Sequence, residues 1–238
     1  MITGAILIIG PLLWCLGLLL RYLPGQMGLP PAGRAEALET QPFAAPRELA
    51  MYAADPELVA NGYAVFLLGA VALFGTYAVL GRIAAVASPR LAGWGAALLI
   101  ASLLGRFFHA GAETAVFAMV DMYGPETATD FAMESYQTLA YGPWRIPVWC
   151  AAGQYLGIVL LALAAYRSRV LGAARCAVLI WGGWLWVGVL KESHLLDVTA
   201  AAAVCAVLAP IGIRLIRHHR SQTDPETALA DLTGIRWW

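Results

Sequence analysis

The sequence predicts an all-α fold, a polytopic membrane helical bundle with six transmembrane helices and both termini cytoplasmic. Three observations predict it. The 238 residues are 61% hydrophobic and 13% charged, with mean hydropathy +0.70. Soluble domains are roughly half apolar and about a quarter charged. The apolar residues are gathered into long runs, as a hydrocarbon core about 30 Å thick demands of a helix of about 20 residues. The basic residues gather on one side of those runs. Residues 1–220 then form one transmembrane domain with an extracytoplasmic loop at 23–55, followed by a cytoplasmic tail at 221–238.

The first span runs from Ile2 to Leu20, with Pro11 inside it. It lacks a basic leader, and its apolar run suits a span better than the short core of a signal peptide, so it is read as uncleaved. Arg21 and Tyr22 mark the interface. The 23–55 loop opens with Pro and Gly, and PRELAMYAA within it predicts a short surface helix. Asp55-Pro56-Glu57 reads as an N-cap, a first-position proline and a first-turn acid. It opens span 2, which ends near Arg82. Ser88-Pro89-Arg90 is a turn, and span 3 follows from Leu91 to Val120. That length exceeds one perpendicular crossing.

Gly124-Pro125 breaks the chain. TATDFAMESYQTLAYG predicts an amphipathic surface helix with Glu134, Thr138 and Tyr141 on one face. Span 4 runs from Trp144 to Tyr166, with Gly153 and Gly157 in a GxxxG helix-contact pattern. Span 5 runs to Lys191. The turn KESHLLD leads to span 6, Leu195 to Ile216, with Pro210 inside. On this topology Arg82, Arg90, Arg167, Arg169, Arg175, Arg214, Arg217, Arg220 and Arg236 share one side. The acids there are Asp224, Glu226 and Asp231. The positive-inside rule makes that side cytoplasmic.

Zero net charge gives no bias toward nucleic acid as a partner. The expected partners are the membrane itself and a lipid or lipophilic small molecule, with a homo-oligomer left open. Cys15, Cys150, Cys176 and Cys205 each stand alone in an apolar segment, which suits packing rather than a disulfide or metal set. No metal site and no cofactor is expected. GxSxG, HExxH, an aspartate-rich diphosphate motif and a glycine-rich phosphate loop are all missing.

The chemistry-bearing stretch is SLLGRFFHAGAETAVF, Ser102 to Phe117. At about 100° per residue, Arg106, His109 and Glu113 fall within an arc of roughly 60°, with Ser102 and Phe117 on the same stripe. Ionisable groups at membrane depth must face protein or water and mark a functional site by default. At 1.5 Å per residue from Leu91, Arg106 lies about 22 Å along the axis and Glu113 about 33 Å, in the outer half. Glu134, Arg145, Lys191, Glu192, His194 and Asp197 fall at the same level. Glu113, His109, Asp197 and Glu134 are the candidate catalytic groups. His109 and Glu113 are four apart, and His194 and Asp197 three apart, so each carboxylate is within reach of an imidazole for acid–base work. The competing reading is that Arg106 pairs with Glu113, and Arg145 with Glu134, only to lock helices together.

Trp149, Trp181 and Trp184, with Trp186, sit deeper than an interfacial belt requires. With Phe117, Arg106, Arg145 and His194 they are the candidate substrate-binding residues, an aromatic wall suited to a lipophilic substrate or a developing cation.

The stretch WRIPVWCAAGQYLGIVLLALAAYRSRVLGAARCAVLIWGGWLW, a Trp-containing span, an AxxRS-type turn and a second apolar span, resembles a loose pattern in uncharacterised six-helix bacterial membrane proteins. That resemblance covers about a third of the chain, and it implies a fold class and no activity. A more distant analogy, resting on pocket character and lacking the tryptophan–glutamate signature, is to integral-membrane terpene cyclases. It implies a protonated intramembrane carboxyl that starts cyclisation. The function expected first is therefore an integral-membrane enzyme acting on a lipophilic substrate, such as an isoprenoid, by acid–base chemistry in an outer-half pocket. The alternatives are a proton-coupled transporter with the Arg106–His109–Glu113 stripe as relay, a b-haem protein with His109 and His194 as axial ligands, and a non-catalytic partner or immunity protein.

Overall fold

The computed structural model describes residues 2–27, 44–141, 145–184 and 193–220. Eight helices account for nearly all of them: α1 (Ile2–Gln26), α2 (Ala45–Ala54), α3 (Pro56–Ala84), α4 (Pro89–Tyr123), α5 (Pro125–Tyr141), α6 (Arg145–Arg167), α7 (Ala173–Gly183) and α8 (Leu195–Arg220). Four of them, α1, α3, α4 and the Leu195–Arg217 part of α8, are long and apolar enough to cross a membrane. The apolar stretches Ala152–Arg167 and Ala173–Gly183 are shorter. Span 5 was expected to reach Lys191, but α7 stops at Gly183, and residues 185–192 lie outside the described residues.

Local chemistry sets the helix ends. Asp55 caps α3, its Oδ1 accepting from the Leu58 amide at 3.0 Å, with Pro56 at the first helical position. The proline's missing N–H is one the helix could not use anyway. Gly124 separates α4 from α5 at φ 86°, a left-handed conformation that glycine adopts without steric cost. α1 continues through Pro24 to Gln26, beyond the predicted end at Leu20.

The six longer apolar segments close into a ring. α1 packs on α3, α3 on α4, α4 on α6, α6 on α7, α7 on α8, and α8 back on α1. Between apolar helices in lipid there is little hydrophobic drive, so close approach of backbones must supply the attraction. Small residues permit it. A Cβ at Gly95 would lie 2.6 Å from the Leu161 amide nitrogen, and one at Gly157 3.0 Å from that of Leu99. Both glycines of the predicted GxxxG pattern thus face the α4–α6 seam, Gly157 in the tighter contact and a Cβ at Gly153 lying 3.6 Å from Leu98. Interhelical hydrogen bonds add to it, from Thr76 Oγ1 to the Ile6 carbonyl at 2.9 Å and from Ser168 Oγ to the Ala84 carbonyl at 2.6 Å.

Two apolar cores lie at opposite ends. One gathers Leu7, Leu80, Leu99, Leu161, Leu179 and Leu208 from all six ring helices. The other joins Leu49 and Tyr52 of α2, Val59 and Tyr63 of α3, Val116 and Phe117 of α4, and Ala128 and Ala132 of α5. α2 and α5 therefore cap the end of the ring where α1 finishes and α3 begins.

Gly95→Ala should destabilise the purified protein by about 1–3 kcal/mol, because backbone on the facing helix cannot yield. Gly93→Ala, two residues away in the same helix and facing open space, should leave thermal unfolding in detergent unchanged. Equal midpoints for the two variants would contradict the α4–α6 seam.

Candidate functional site

The predicted stripe on α4 is a buried face. Ser102, Arg106, His109, Glu113 and Phe117 are all buried, and the residues between them that point away, such as Leu104 and Phe108, are exposed. The helical period alone achieves this, since residues three and four apart share a face. The stripe crosses two polar layers.

The layer nearer α2 centres on Arg21. Its Nη2 donates to Tyr63 Oη at 3.2 Å, and Tyr63 Oη donates to Glu48 Oε2 at 3.1 Å. The guanidinium stacks over the Tyr63 ring at 4.1 Å and the Phe66 ring at 4.7 Å. Glu113 interacts electrostatically with Arg21, Tyr63 and Arg106. Glu48 is 1% exposed. Phe117 seals the layer, stacked on Tyr52 at 4.4 Å and edge-on to Tyr63 at 5.0 Å. Tyr52 Oη donates to Asp121 Oδ2 at 2.9 Å and fastens α2 to the end of α4. Burial, and then the Asp121 carboxylate, holds the Tyr52 phenol above its ordinary range, so it stays a donor.

The second layer faces a small cavity inside the ring, of about 50 Å³, partly open to the exterior. Every ring helix contributes to its wall: Trp14 from α1, Tyr77 from α3, Ser102 and Arg106 from α4, Gln154 from α6, Gly182 from α7 and Asp197 from α8. Arg106 Nη2 donates to Gln154 Oε1 at 3.3 Å, and Gln154 Nε2 donates to the Gly183 carbonyl at 3.2 Å. The glutamine is thereby oriented with its oxygen toward the arginine. Arg106 Nη1 is buried with no hydrogen-bond partner among the described residues.

The candidate residues thus separate. Arg106 and Asp197 line the same cavity, and Asp197 is its one carboxylate among the described residues. Glu113 belongs with the Arg21 layer. His109 is buried beside Arg106, and its Nδ1 has no hydrogen-bond partner among the described residues, so the expected imidazole–carboxylate bond to Glu113 is not formed through that atom. The 194/197 pair meets differently from the expectation. Asp197 Oδ2 accepts from the backbone amide of His194 at 2.8 Å, the reciprocal bond of a capping box at the start of α8, and the imidazole is exposed. His109 and His194 therefore face different surroundings, one buried and one exposed. Glu134 is exposed on α5.

Trp149, Trp181 and Trp184 are exposed and are not among the residues that line this cavity, whose aromatic residues among the described residues are Trp14 and Tyr77. An apolar outer surface suits lipid, so tryptophan is stable on either side of such a helix and sequence depth does not distinguish them. The side chains of Thr138, Tyr141 and Arg145, and all of Trp144, Trp186, Lys191 and Glu192, lie outside the described residues.

Sequence reasoning missed Glu48, Tyr63 and Arg21. Glu48 offered one signal: it is the lone acid in the first turn of a helix whose neighbours Leu49, Met51 and Tyr52 are apolar. No group of three or more metal-binding side chains occurs among the described residues. Comparison with protein-family models, curated proteins and solved structures finds no match to this chain.

Tyr63→Phe removes the hydroxyl that links Arg21 to Glu48 inside a buried layer. It should cost about 1–3 kcal/mol of stability, the penalty for stranding buried polar partners, whereas Tyr52→Phe should cost only about 0.5–1.5 kcal/mol. Denaturation in detergent micelles reads both. A smaller loss for Tyr63→Phe than for Tyr52→Phe would mean the Arg21 layer is not a structural centre.

Proposed function

We propose that this chain is a multi-pass protein of the cell membrane that acts by acid–base chemistry on a lipophilic molecule held inside its helical ring. Six helices cross, and both termini are cytoplasmic. Arg82, Arg90 and Arg167 cluster with the core around Leu80, Leu99 and Leu161, at the end of the ring opposite α2 and α5. That charge bias supports the orientation.

The observation that carries the reading is the cavity. It is small, about 50 Å³, and its wall sets a few polar groups, Ser102, Arg106, Gln154 and Asp197, among apolar ones, the composition of a small-molecule site. Asp197 takes the acid–base role there, in place of Glu113 and Glu134. A proton passed from its carboxyl to the substrate and a proton returned to it leave an isomer, so no co-reactant is consumed. Trp14 and Tyr77 offer π faces to positive charge that develops in between.

Alkaline phosphatase fused after Tyr123 should be active and fused after Arg220 inactive; activity at the second position would reverse the topology. Asp197→Asn keeps an oxygen to accept the His194 amide and removes the transferable proton. Cells expressing it should accumulate a lipophilic species that wild-type cells convert, read by mass spectrometry of lipid extracts. Identical extracts would remove Asp197 from the chemistry.

A further inference from the structure

We propose that Arg175 and Arg214 hold the phosphate of an anionic phospholipid at the end of the ring opposite α2 and α5, with its acyl chains along the outer face of α7. The site lies apart from the ring cavity, whose wall includes neither arginine, and it requires only that the chain sit in a membrane.

Charge is the first ground. Segments 80–92, 165–176 and 206–217 meet in the apolar core at that end. They carry Arg82, Arg90, Arg167, Arg169, Arg175, Arg214 and Arg217, and no Asp or Glu. Topology accounts for an excess of arginine on one side of a membrane, but not for the burial of one of them. Five of the seven are exposed. Arg175 is 8% exposed. It stands in the first turn of α7, which has no acid of its own and where the helix dipole is positive. The charge that acts on it is the guanidinium of Arg214, from α8.

A buried cation is costly unless a counter-charge meets it, and here the neighbouring charge has the same sign. A phosphate between the two guanidinium groups turns that repulsion into charge-assisted hydrogen bonds, to which the guanidinium fork is suited. Arg214 is half-buried, and Ala173 and Ala174 beside Arg175 are exposed, so a head group reaches the pair from the surface.

The apolar surface next to the pair points to a lipid as the source of the phosphate. Ala174, Val178 and Trp181 follow one another at helical spacing on α7 and are all exposed. The strip starts beside Arg175 and runs about 10 Å along the helix, at 1.5 Å per residue. It gives acyl chains a surface directly below the head group. The head group itself must be net negative. A choline would bring a further cation up to two arginines, whereas an uncharged alcohol on the phosphate leaves the anion unopposed.

The test titrates the full chain in detergent with dioleoyl phosphatidylglycerol and with dioleoyl phosphatidylcholine, and counts bound lipid by native mass spectrometry. Phosphatidylglycerol should bind at least about tenfold more tightly, as expected for hydrogen bonds to a charged group. Arg175→Gln and Arg214→Gln should each bring it down to the phosphatidylcholine level. If Arg175→Gln does not fold, Arg214→Gln decides alone. Arg90→Gln, exposed at the same end, should keep the full preference. Glycerol 1-phosphate at equal concentration should not displace the lipid.

Equal binding of the two lipids would overturn the site. So would a preference that survives Arg214→Gln, or one that Arg90→Gln reduces as much, since the attraction would then be spread over the whole basic face. Displacement by glycerol 1-phosphate would overturn the lipid assignment. Each of these outcomes leaves the cavity reading to its own test, the lipid extracts of Asp197→Asn cells.

Discussion

Two guanidinium groups inside an apolar bundle set the terms for the rest of this molecule. Arg21 and Arg106 are each 4% exposed. Neither can be left in hydrocarbon without partners, and removing one partner of a buried charge is far more costly than the net value of the pair. The chain meets the two demands differently. Arg21 is surrounded from three other helices, by Glu48, Tyr63 and Glu113, and by aromatic faces. Arg106 has one amide, the field of Glu113 and a small cavity that it shares with Asp197. The first arrangement locks helices together, and the second leaves a charge facing a cavity.

Packing explains how both survive in one bundle. The seams between α1 and α3, α4 and α6, and α1 and α8 are the most extensive in the ring, and glycines bring their backbones close. Tight seams around the circumference hold the helices in position while a small cavity of about 50 Å³ is left between them. The apolar core at one end and the α2–α5 cap at the other close the cylinder lengthwise. The cavity is thus what remains when circumference and ends are packed and the middle is not. On the proposed topology it lies within the bilayer.

Much of this was legible in the sequence. The stripe on α4 was readable because a period near 3.6 leaves little freedom: once one side of α4 faces the bundle, Ser102, Arg106, His109, Glu113 and Phe117 all must. The Asp55-Pro56 start of α3 was readable because capping is local. Partners were not readable, because they depend on which helix sits opposite. Glu48 belongs to a short segment whose pattern suits a surface helix, and only the neighbouring Tyr63 and Arg21 make its burial tolerable. Asp197 and His194 had the right spacing, yet the carboxylate met the backbone, since a helix start offers unpaired amides that compete with the side chain. The surroundings of the tryptophans were not readable for another reason. In water an aromatic side chain points inward; against lipid that rule loses its force.

The order of the chain bears on how the Arg21 layer comes together. Its members belong to α1, α2, α3 and α4 in turn. During synthesis Arg21 emerges first, Glu48 next, Tyr63 after it, and Glu113 only once most of α4 has left the ribosome. Until α3 and α4 are both made, the partners that make the burial of Glu48 tolerable are incomplete. The hydrogen bonds of the cap can therefore form only when the first four helices have found one another.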